Sequence, residues 1–314
     1  MRVQAVTLGR PAAGEDFSER TTFYVVIVPF APAGSTDIVA RLIGQWLSER
    51  LGQPFVIENR PGAGSNVGTE VVVNAPPDGY TLLLVGASSA INATLYDKLN
   101  FDFLRDITAV AGVISIPFIM AVNPSFPAKT VSQFIAYARA NPGKVNMASG
   151  DNGTAGHLSG ELFKMMAGVN MVHVPYRGEA PALTDMLGGH VQAMFGTMPA
   201  SIEHVRAGKL RPLAVTSARR SELLPDLPTV GDFVPGYETS AWQGVGAPKN
   251  APAEIITGLN KEINAGLADP KIKARVADMG GTVLAGSPAD FGKFIADETD
   301  KWGKVVKFSG AKPD

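Results

Sequence analysis

The order of apolar and polar positions predicts strands and helices that alternate along the chain. Residues 23–30, FYVVIVPF, form a short valine-rich run typical of a buried strand, and residues 35–51 carry apolar side chains at helical spacing. Further strands are predicted at 55–60 and 81–86, with a helix at 66–74 between them. Strands separated by helices in this rhythm are typical of parallel βαβ units in a doubly wound sheet.

A second alternating series follows a long apolar segment at 110–122. Its predicted strands are 145–149, 171–174, 190–195 and 210–216, and its predicted helices are 131–140, 154–167, 180–187 and 200–207. The last predicted elements are an apolar strand near 242–247 and three helices at 252–267, 271–279 and 288–308.

The apolar runs at 110–122 and 240–247 are predicted to be two crossings between two lobes. The first lobe then comprises residues 23–118 together with 240–314, and the second lobe comprises 119–239. Two crossing segments make a hinge that suits closure around a ligand. The predicted class is therefore an α/β fold with two lobes, and a single large sheet is the alternative.

The N-terminal segment, residues 1–22, is interpreted as a leader outside the fold. It contains Arg2, but polar and acidic residues interrupt any apolar run long enough for a signal peptide. No stretch of the sequence approaches the roughly 20 apolar residues that a membrane-spanning helix requires.

Composition narrows the classes of function. The 314 residues are 45% hydrophobic, which is enough for one large or two medium cores. The formal net charge of −1 gives no general attraction to nucleic acid or anionic membranes, so an anionic ligand needs a local site. The sequence has no cysteine, which excludes thiol catalysis, disulfides and cysteine metal sites.

Side chains arranged for catalysis are sparse. The histidines are His157, His173, His190 and His204. None has metal-ligand spacing, and His157 with Glu161 is interpreted as a capping or surface pair. The sequence lacks the G-x-S-x-G motif of a nucleophile elbow. The spacing of its glycines at 62, 64 and 68 is one residue too long for the dinucleotide-binding motif G-x-G-x-x-G. We therefore expect no cofactor and no metal, and an enzyme on this fold is a remote alternative.

The segment PFAPAGSTD, residues 29–37, joins a predicted strand to a predicted helix. Ser35 or Thr36 is predicted to cap the helix, with Asp37 in its first turn. The positions that leave the backbone uncovered are Ala31, Ala33 and Gly34. A ligand carboxylate or a bridging water therefore has access to the helix N–H groups. An ordinary capped turn is the alternative interpretation.

Comparable groups follow other predicted strands. They are Asn66, Ser88, Ser89 and Asn92 in the first lobe, and Ser149, Asn152, Gly153, Thr154, Tyr176, Arg177, Gly196 and Thr197 in the second. In open α/β sheets, ligands bind beyond the carboxyl ends of the strands. Turns from the two lobes are thus predicted to face each other across a cleft, where Arg177 is suited to pair with a carboxylate in bidentate fashion.

The chain resembles the Bug-type receptors of tripartite tricarboxylate transporters. The resemblance begins in the run VPFAPAGSTDIVARLIGQWLSERLGQPFVIENRPGAGSNVGTEVV. It continues through NPSFPAKTVSQFIAYARANPGKVN, GHLSGELFKMMAGVNMVHVPYRGEAPALTDMLGGHVQAMF and AGKLRPLAVTSARRSELLPDLPTV, and so covers nearly everything after residue 22.

The resemblance implies a two-lobed periplasmic binding protein fold (type II-like) with two crossings. It implies capture of an organic acid by lobe closure, with one carboxylate held largely by backbone groups and bridging waters. Delivery to membrane permease subunits, a periplasmic location and a monomer are also implied. The family's contacts carry over to residues 30–35 and 87–89 in the first lobe and to residues 149–154 and 176–178 in the second. The candidates within these ranges are Phe30, Ala31, Ala33, Gly34, Ser35, Ala87, Ser88, Ser89, Ser149, Asn152, Gly153, Thr154, Tyr176, Arg177 and Gly178.

Three departures from the family pattern stand out. Ala33–Gly34 replaces the usual pair of glycines, and Phe195–Gly196 replaces the usual Phe-Asp. The lost acid argues against a ligand with an ammonium group and favours a dicarboxylic, tricarboxylic or aromatic acid. The family's export signal is not visible. A receptor for transport is the expected function, and a sensor subunit that presents its loaded form to a signalling partner is the alternative.

Overall fold

The computed structural model of the chain describes residues 23–32, 34–176 and 178–313. The interpretation of residues 1–22 as a leader falls outside this range, as do the candidate site residues Ala33 and Arg177. None of the helices within the described residues is long and apolar enough to cross a membrane.

Strands and helices alternate through the described residues, which confirms the predicted α/β class. The strands are β1 (Tyr24–Val28), β2 (Phe55–Asn59), β3 (Thr81–Gly86), β4 (Ile107–Val122), β5 (Asn146–Ser149), β6 (Val172–Pro175), β7 (Ala193–Thr197), β8 (Arg211–Val215), β9 (Ser240–Pro248) and β10 (Thr282–Val283). The α-helices are α1 (Ser35–Leu51), α2 (Asn66–Val73), α3 (Ala87–Leu95), α4 (Phe103–Asp106), α5 (Val131–Ala140), α6 (Ala155–Ala167), α7 (Glu179–Gly188), α8 (Met198–Arg206), α9 (Ala253–Ala268), α10 (Pro270–Asp278) and α11 (Pro288–Ser309).

Some predicted elements differ from the structure. The residues after β3, which were expected to form a turn, continue directly into α3, because Ala90, Ile91 and Leu95 give that segment a buried helical face. Strand β7 starts three residues later than predicted and includes Gly196 and Thr197, which were placed beyond its end. Helix α4 and strand β10 were not predicted, since both are too short to show a periodicity.

Helices cover both faces of the sheet. In β3, Leu82 and Leu84 pack in the cluster that contains the apolar face of α1 and α9, whereas Leu83 and Val85 pack in the cluster that contains α3 and α11. A strand buried on both faces has no polar alternation, which explains the continuous apolar run in this segment.

Strand β4 connects the two halves of the sheet. The strand order is β2-β1-β3-β9-β4-β7-β5-β6, with β8 and β10 also paired to β4. The first part of β4 pairs with β9 from Ile107 to Pro117, and its last part pairs with β7 from Phe118 to Val122. We call β1, β2, β3, β9 and β10 the first half, and β5 to β8 the second half. The segment predicted as a crossing is thus part of one long strand that belongs to both halves.

The register of β4 makes the strand ends of the two halves face each other. Gln243 of β9 pairs with Gly86 at the end of β3 and with Ile114 of β4. Thr197 at the end of β7 pairs with Phe118 of β4. Ile114 and Phe118 are four residues apart on β4, so the two strand ends are separated by about 13 Å along it. The carboxyl ends of the two sets of strands therefore face each other near the middle of β4.

The bounds proposed for the two lobes, residues 23–118 with 240–314 and residues 119–239, stay a prediction.

A buried hydroxyl fixes the second connection between the halves. The Thr216 hydroxyl accepts a hydrogen bond from the Phe118 N–H and donates one to the Thr239 carbonyl, each at 2.8 Å. Thr216 and Thr239 are fully buried. The chain that enters β9 is consequently tied to the centre of β4, close to the position predicted for the second crossing.

Two stacked histidines attach α6 to β6. The rings of His157 and His173 lie 3.5 Å apart and 8° from parallel. Ser149 Oγ donates to the Asp151 carbonyl at 2.9 Å and lies 2.7 Å from His173 Nε2, so the proton between them belongs to the histidine. His157 is buried, as is Glu161, 3.7 Å from its Nε2. The interpretation of His157 and Glu161 as a surface pair is wrong, because α6 turns this face inward. The capping interpretation applies to His157, whose Nδ1 accepts from the Gly153 N–H just before α6.

The histidine stack predicts a specific dependence of stability on pH. Burial, and then the nearby His157, lower the pKa of His173 from 6.5 to about 4. Between pH 6.5 and pH 4, His173 therefore binds a proton in the unfolded chain but stays neutral in the folded protein. We expect this residue to lower the free energy of unfolding by at most about 1.4 kcal/mol per pH unit as the pH falls through that window.

The measurement is urea unfolding of the wild type and of His173→Gln at several pH values across the window. Glutamine retains a donor for Ser149 but does not titrate, so the unfolding free energy of the variant should fall less steeply. Parallel curves for the two proteins would show that His173 contributes nothing to the pH dependence.

Candidate ligand-binding site

Helix α1 begins without a side-chain cap. Gly34 is its N-cap residue, with an extended backbone (φ −76°, ψ 168°) and no side chain that can accept a hydrogen bond from the first turn. The prediction that Ser35 or Thr36 caps the helix is wrong, because the chain is already helical at Ser35. The first N–H groups of α1 thus remain available to an anion.

Asp37 lies in the first turn of α1, as predicted, and is 3% exposed. Its carboxylate accepts hydrogen bonds from Arg41 at 2.8 and 2.9 Å and from Asn59 Nδ2 at 3.0 Å. Asn59 Nδ2 also donates to the Phe30 carbonyl at 3.0 Å. These bonds neutralise the acid and hold the loop that leads into α1.

A second uncapped helix starts at α3. Its N-cap is Gly86, which makes no side-chain cap hydrogen bond. Ala87 and Ser89 are buried in its first turn, and Ser88 is half-buried. Two helix N-termini of the first half are therefore without caps at positions that the sequence singled out.

Gln243 lies between these two N-termini. It pairs with Gly86 across β3 and β9, and its Nε2 lies 3.4 Å from both Ser35 Oγ and Thr36 Oγ1. Sequence reasoning missed this residue, although it is the one uncharged amide in the otherwise apolar or small-residue strand SAWQGVGAP. An amide in the middle of such a buried strand is the signal that identifies it.

Three buried polar atoms in this region have no hydrogen-bond partner among the described residues. They are Gln243 Oε1, Ser89 Oγ and Asn66 Nδ2. Asn66 Oδ1 accepts from Asn92 Nδ2 at 3.1 Å, and Asn92 lies one helical turn from Ser89 on α3. Buried polar groups are almost always paired, so a cluster of unpaired ones points to a ligand or to bridging water.

The loop after β5 supplies one face of the second half. Thr154 caps α6: its hydroxyl accepts from the His157 N–H at 3.3 Å and donates to the Asp151 carbonyl at 2.9 Å. The Gly153 N–H donates to His157 Nδ1 at 3.0 Å. Capping of α6 and the bond to Asp151 account for both hydrogen bonds of Thr154. The Ser149 hydroxyl is already hydrogen-bonded to Asp151 and His173.

The loop after β6 lies alongside it. The Tyr176 N–H donates to the Ser149 carbonyl at 3.0 Å, and the Gly178 N–H donates to the Gly150 carbonyl at 2.7 Å. The Tyr176 hydroxyl donates to Asp185 Oδ2 at 2.6 Å. Burial, and then this hydrogen bond, raise the pKa of Tyr176 to about 12. The Tyr176 hydroxyl has therefore used its one donor, and it can meet a ligand only as an acceptor.

A carboxylate from α7, which sequence reasoning missed, lies at the end of β7. Glu179 accepts from the Thr197 N–H at 2.6 Å and from the Thr197 hydroxyl at 2.8 Å. A Cβ on Gly196 would lie 2.4 Å from Ser201 Oγ, so a larger residue at this strand end requires the Ser201 side chain to move. Glu179, the first residue of α7, thus lies beside Gly196 at the end of β7.

Both halves contribute to one place in the molecule. A Cβ on Gly153 would lie 2.3 Å from Leu95 Cδ2, so the loop after β5 touches α3 of the first half. Of the predicted residues in the loop before α1, Phe30 is half-buried, and Ala31, Gly34 and Ser35 are exposed. The structure therefore assembles the described candidates at facing strand ends, while Ala33 and Arg177 lie outside the described residues.

Other features lie apart from these strand ends. A shallow surface cavity of about 390 Å³ lies between α5, α6 and the end of α11, lined by residues that include Arg139, Lys164 and Phe308. None of the predicted site residues lines it. Within the part of the chain that the structure describes, no three His, Asp or Glu side chains are grouped as a metal site.

Comparisons with known proteins identify the family. Residues 39–310 match the family described as tripartite tricarboxylate transporter family receptor. Protein BugT of Bordetella pertussis is 39% identical over 290 residues, which are 91% of this chain and 89% of BugT.

Solved structures show the same fold. The structure of R. palustris Rpa4515 with adipate has a TM-score of 0.82 and 39% identity, covering 94% of this chain and 99% of that chain. MatC from Rhodopseudomonas palustris with bound malate has a TM-score of 0.77 and 30% identity, covering 90% of this chain and 98% of that chain.

These similarities confirm the resemblance noted in the sequence and the predicted class of fold. The relatives are solute-binding receptors and not enzymes, so the expectation that this chain is not an enzyme is also confirmed. The chain belongs to the family of tripartite tricarboxylate transporter receptors.

Proposed function

We propose that this protein is a periplasmic receptor that binds a small organic carboxylate by lobe closure and delivers it to the permease subunits of a tripartite transporter. Membership of the receptor family supports the role, and relatives solved with adipate and malate support the class of ligand. A monomer is sufficient for this function. The sensor alternative shares the same binding chemistry and stays a prediction.

One observation carries the proposal. Two helix N-termini without side-chain caps, those of α1 and α3, lie on either side of Gln243 and beside three unpartnered buried polar atoms. Each N-terminus presents unpaired N–H groups and a partial positive charge, which together suit a carboxylate. The ligand's first carboxylate binds there, with Ser89 and Asn66 as neighbouring donors.

Gln243 suits either direct or water-mediated contact with that carboxylate. Its Oε1 accepts from a bridging water that in turn donates to the ligand. With the amide turned by half a rotation, the Ser35 and Thr36 hydroxyls donate to Oε1 and Nε2 donates to the ligand directly. In both arrangements the site holds an anion without a charged side chain.

Closure needs the second half to bind the ligand more tightly in the closed state than in the open state. The loops after β5, β6 and β7 provide this, because internal hydrogen bonds already fix them and little entropy is lost when they meet the ligand. Among the candidates, Asn152 and Gly178 are the residues of this face that we expect to contact the ligand, while Ser149 and Thr197 hold its loops in place.

The proposal predicts thermal stabilisation by small organic acids. A ligand that binds only the folded state stabilises it by about 2.7 kcal/mol at a hundredfold excess over its Kd. A thermal-shift screen against aliphatic, tricarboxylic, aromatic and amino acids should raise the Tm with at least one carboxylate and leave it unchanged with the matching amide. No rise with any acid at millimolar concentration would contradict the proposed function.

Gly34→Val should abolish tight binding without harming the fold. A Cβ at Gly34 meets only the Ala31 carbonyl at 3.8 Å, and the backbone there is extended, so valine is accommodated in the unliganded protein. The added methyl groups cover the N-terminus of α1. We expect a loss of affinity of about tenfold or more, since hydrogen bonds to a charged group are lost.

The matched control is Gly258→Val on α9, where a Cβ meets nothing within 4 Å. Isothermal titration calorimetry gives the affinity of each variant, and circular dichroism melting gives its stability. Equal affinity in Gly34→Val and Gly258→Val would exclude the α1 N-terminus from the binding site.

A further inference from the structure

The loop that leads into α2 has an unusual backbone. Residues 62–65 all have positive φ, and two of them, Ala63 at 45° and Ser65 at 94°, are not glycine. Such conformations are strained in a residue with a Cβ and persist only where the surrounding structure holds them. A hydrogen bond from α3 holds this loop, because Asn92 Nδ2 donates to the Gly64 carbonyl at 2.7 Å. Asn92 therefore helps to fix the residues that immediately precede α2.

The Gly64 carbonyl determines the orientation of two side-chain amides. A carbonyl oxygen only accepts hydrogen bonds, so the Asn92 atom beside it is the nitrogen and not the oxygen. The same Nδ2 donates to Asn66 Oδ1 at 3.1 Å. The oxygen of Asn66 is thus turned toward Asn92, and its Nδ2, with two N–H groups, is directed elsewhere. Asn66 consequently presents donors, and not an acceptor, on the side away from Asn92.

These donors lie between the two uncapped helix N-termini of the first half. Asn66 contacts Asn92, which lies one turn after Ser89 on α3. A Cβ on Gly68 would lie 2.8 Å from Pro29 Cβ, so the first turn of α2 packs against the loop that leads into α1. Asn66 is 8% exposed, and its Nδ2 has no hydrogen-bond partner among the described residues. The donors are therefore beside the place proposed for the carboxylate of the ligand.

We propose that Asn92 is a positioning residue that makes this part of the site selective for an anion. Its hydrogen bonds to the Gly64 carbonyl and to Asn66 Oδ1 hold the Asn66 Nδ2 donors toward the carboxylate of the ligand. Asn92 acts through Asn66 and needs no contact of its own with the ligand. The inference rests on the proposed function, since it concerns the same carboxylate.

A purely structural role for Asn92 makes a different prediction. If Asn92 only held residues 62–65 for the sake of the fold, its replacement would lower the Tm. Any loss of affinity would then add to the loss caused by removing the Asn66 amide. If Asn92 acts through Asn66, its replacement costs little further affinity once that amide is absent.

Asn92→Leu is the first variant to test, because leucine is similar in size and has no donor. The Asn66 amide then loses its fixed orientation, and we expect the affinity for the carboxylate to fall about fivefold or more. The matched control is Asn74→Leu at the end of α2. Asn74 is exposed, and its Nδ2 also donates to a backbone carbonyl, that of Glu70 at 2.9 Å. The control should retain the wild-type affinity.

A double-mutant cycle separates the positioning role from the structural one. Calorimetry gives the affinities of the wild type, Asn66→Ala, Asn92→Leu and the double variant, and circular dichroism melting gives each Tm. Asn66→Ala should lose about tenfold or more, because it removes a donor to a charged group. The double variant should bind within about twofold of Asn66→Ala. If Asn92→Leu does not fold, Asn92→Ala replaces it, since alanine is well tolerated in a helix.

The probe is the acid that the wild type binds most tightly among succinate, adipate, citrate, benzoate and glutamate. Losses of affinity that add in the double variant would overturn the proposal. Wild-type affinity in Asn92→Leu or in Asn66→Ala would also overturn it, and the proposed function would stand in each of these cases. Failure of the wild type to bind any of the five acids at millimolar concentration would overturn both.

Discussion

The hydrogen-bond register of β4 is the constraint on which the site depends. One strand of 16 residues pairs with β9 over its first part and with β7 and β8 over its last part. The ends of β3 and β7, which run into the binding loops, therefore approach its centre from opposite directions. Since a shift of one residue turns every side chain to the other face, this register fixes which loops meet and how far apart they lie. The buried hydroxyl of Thr216 ties the second connection to the same point.

The electrostatics of the site follow from that arrangement. On the first-half side, Asp37 is neutralised by Arg41 and Asn59, so the helix N-termini of α1 and α3 dominate the local field and favour an anion. Because the overall charge is only −1, these local groups and not the net charge of the protein determine its preference for an anion.

Sequence reasoning predicted most of the fold because each element carries its own pattern. The apolar run of β3 and the helical spacing of α1 are local signals, and the structure has both. The candidate site residues stay a prediction; the sequence indicates them because residues at strand ends such as Ser89, Ser149 and Thr197 are visible as polar interruptions. Gln243 and Glu179 were missed because their importance is set by pairing across the sheet: Gln243 faces Gly86, and Glu179 reaches Thr197 from another loop. The burial of His157 and Glu161 likewise depends on which face α6 turns inward.

A crystal structure of the protein with a bound carboxylate would show directly which groups hold the anion. We expect its carboxylate oxygens within hydrogen-bond distance of backbone N–H groups in the first turns of α1 and α3, with Gln243 reached directly or through one water. A carboxylate bound instead to a lysine or arginine side chain, away from both helix N-termini, would contradict the account.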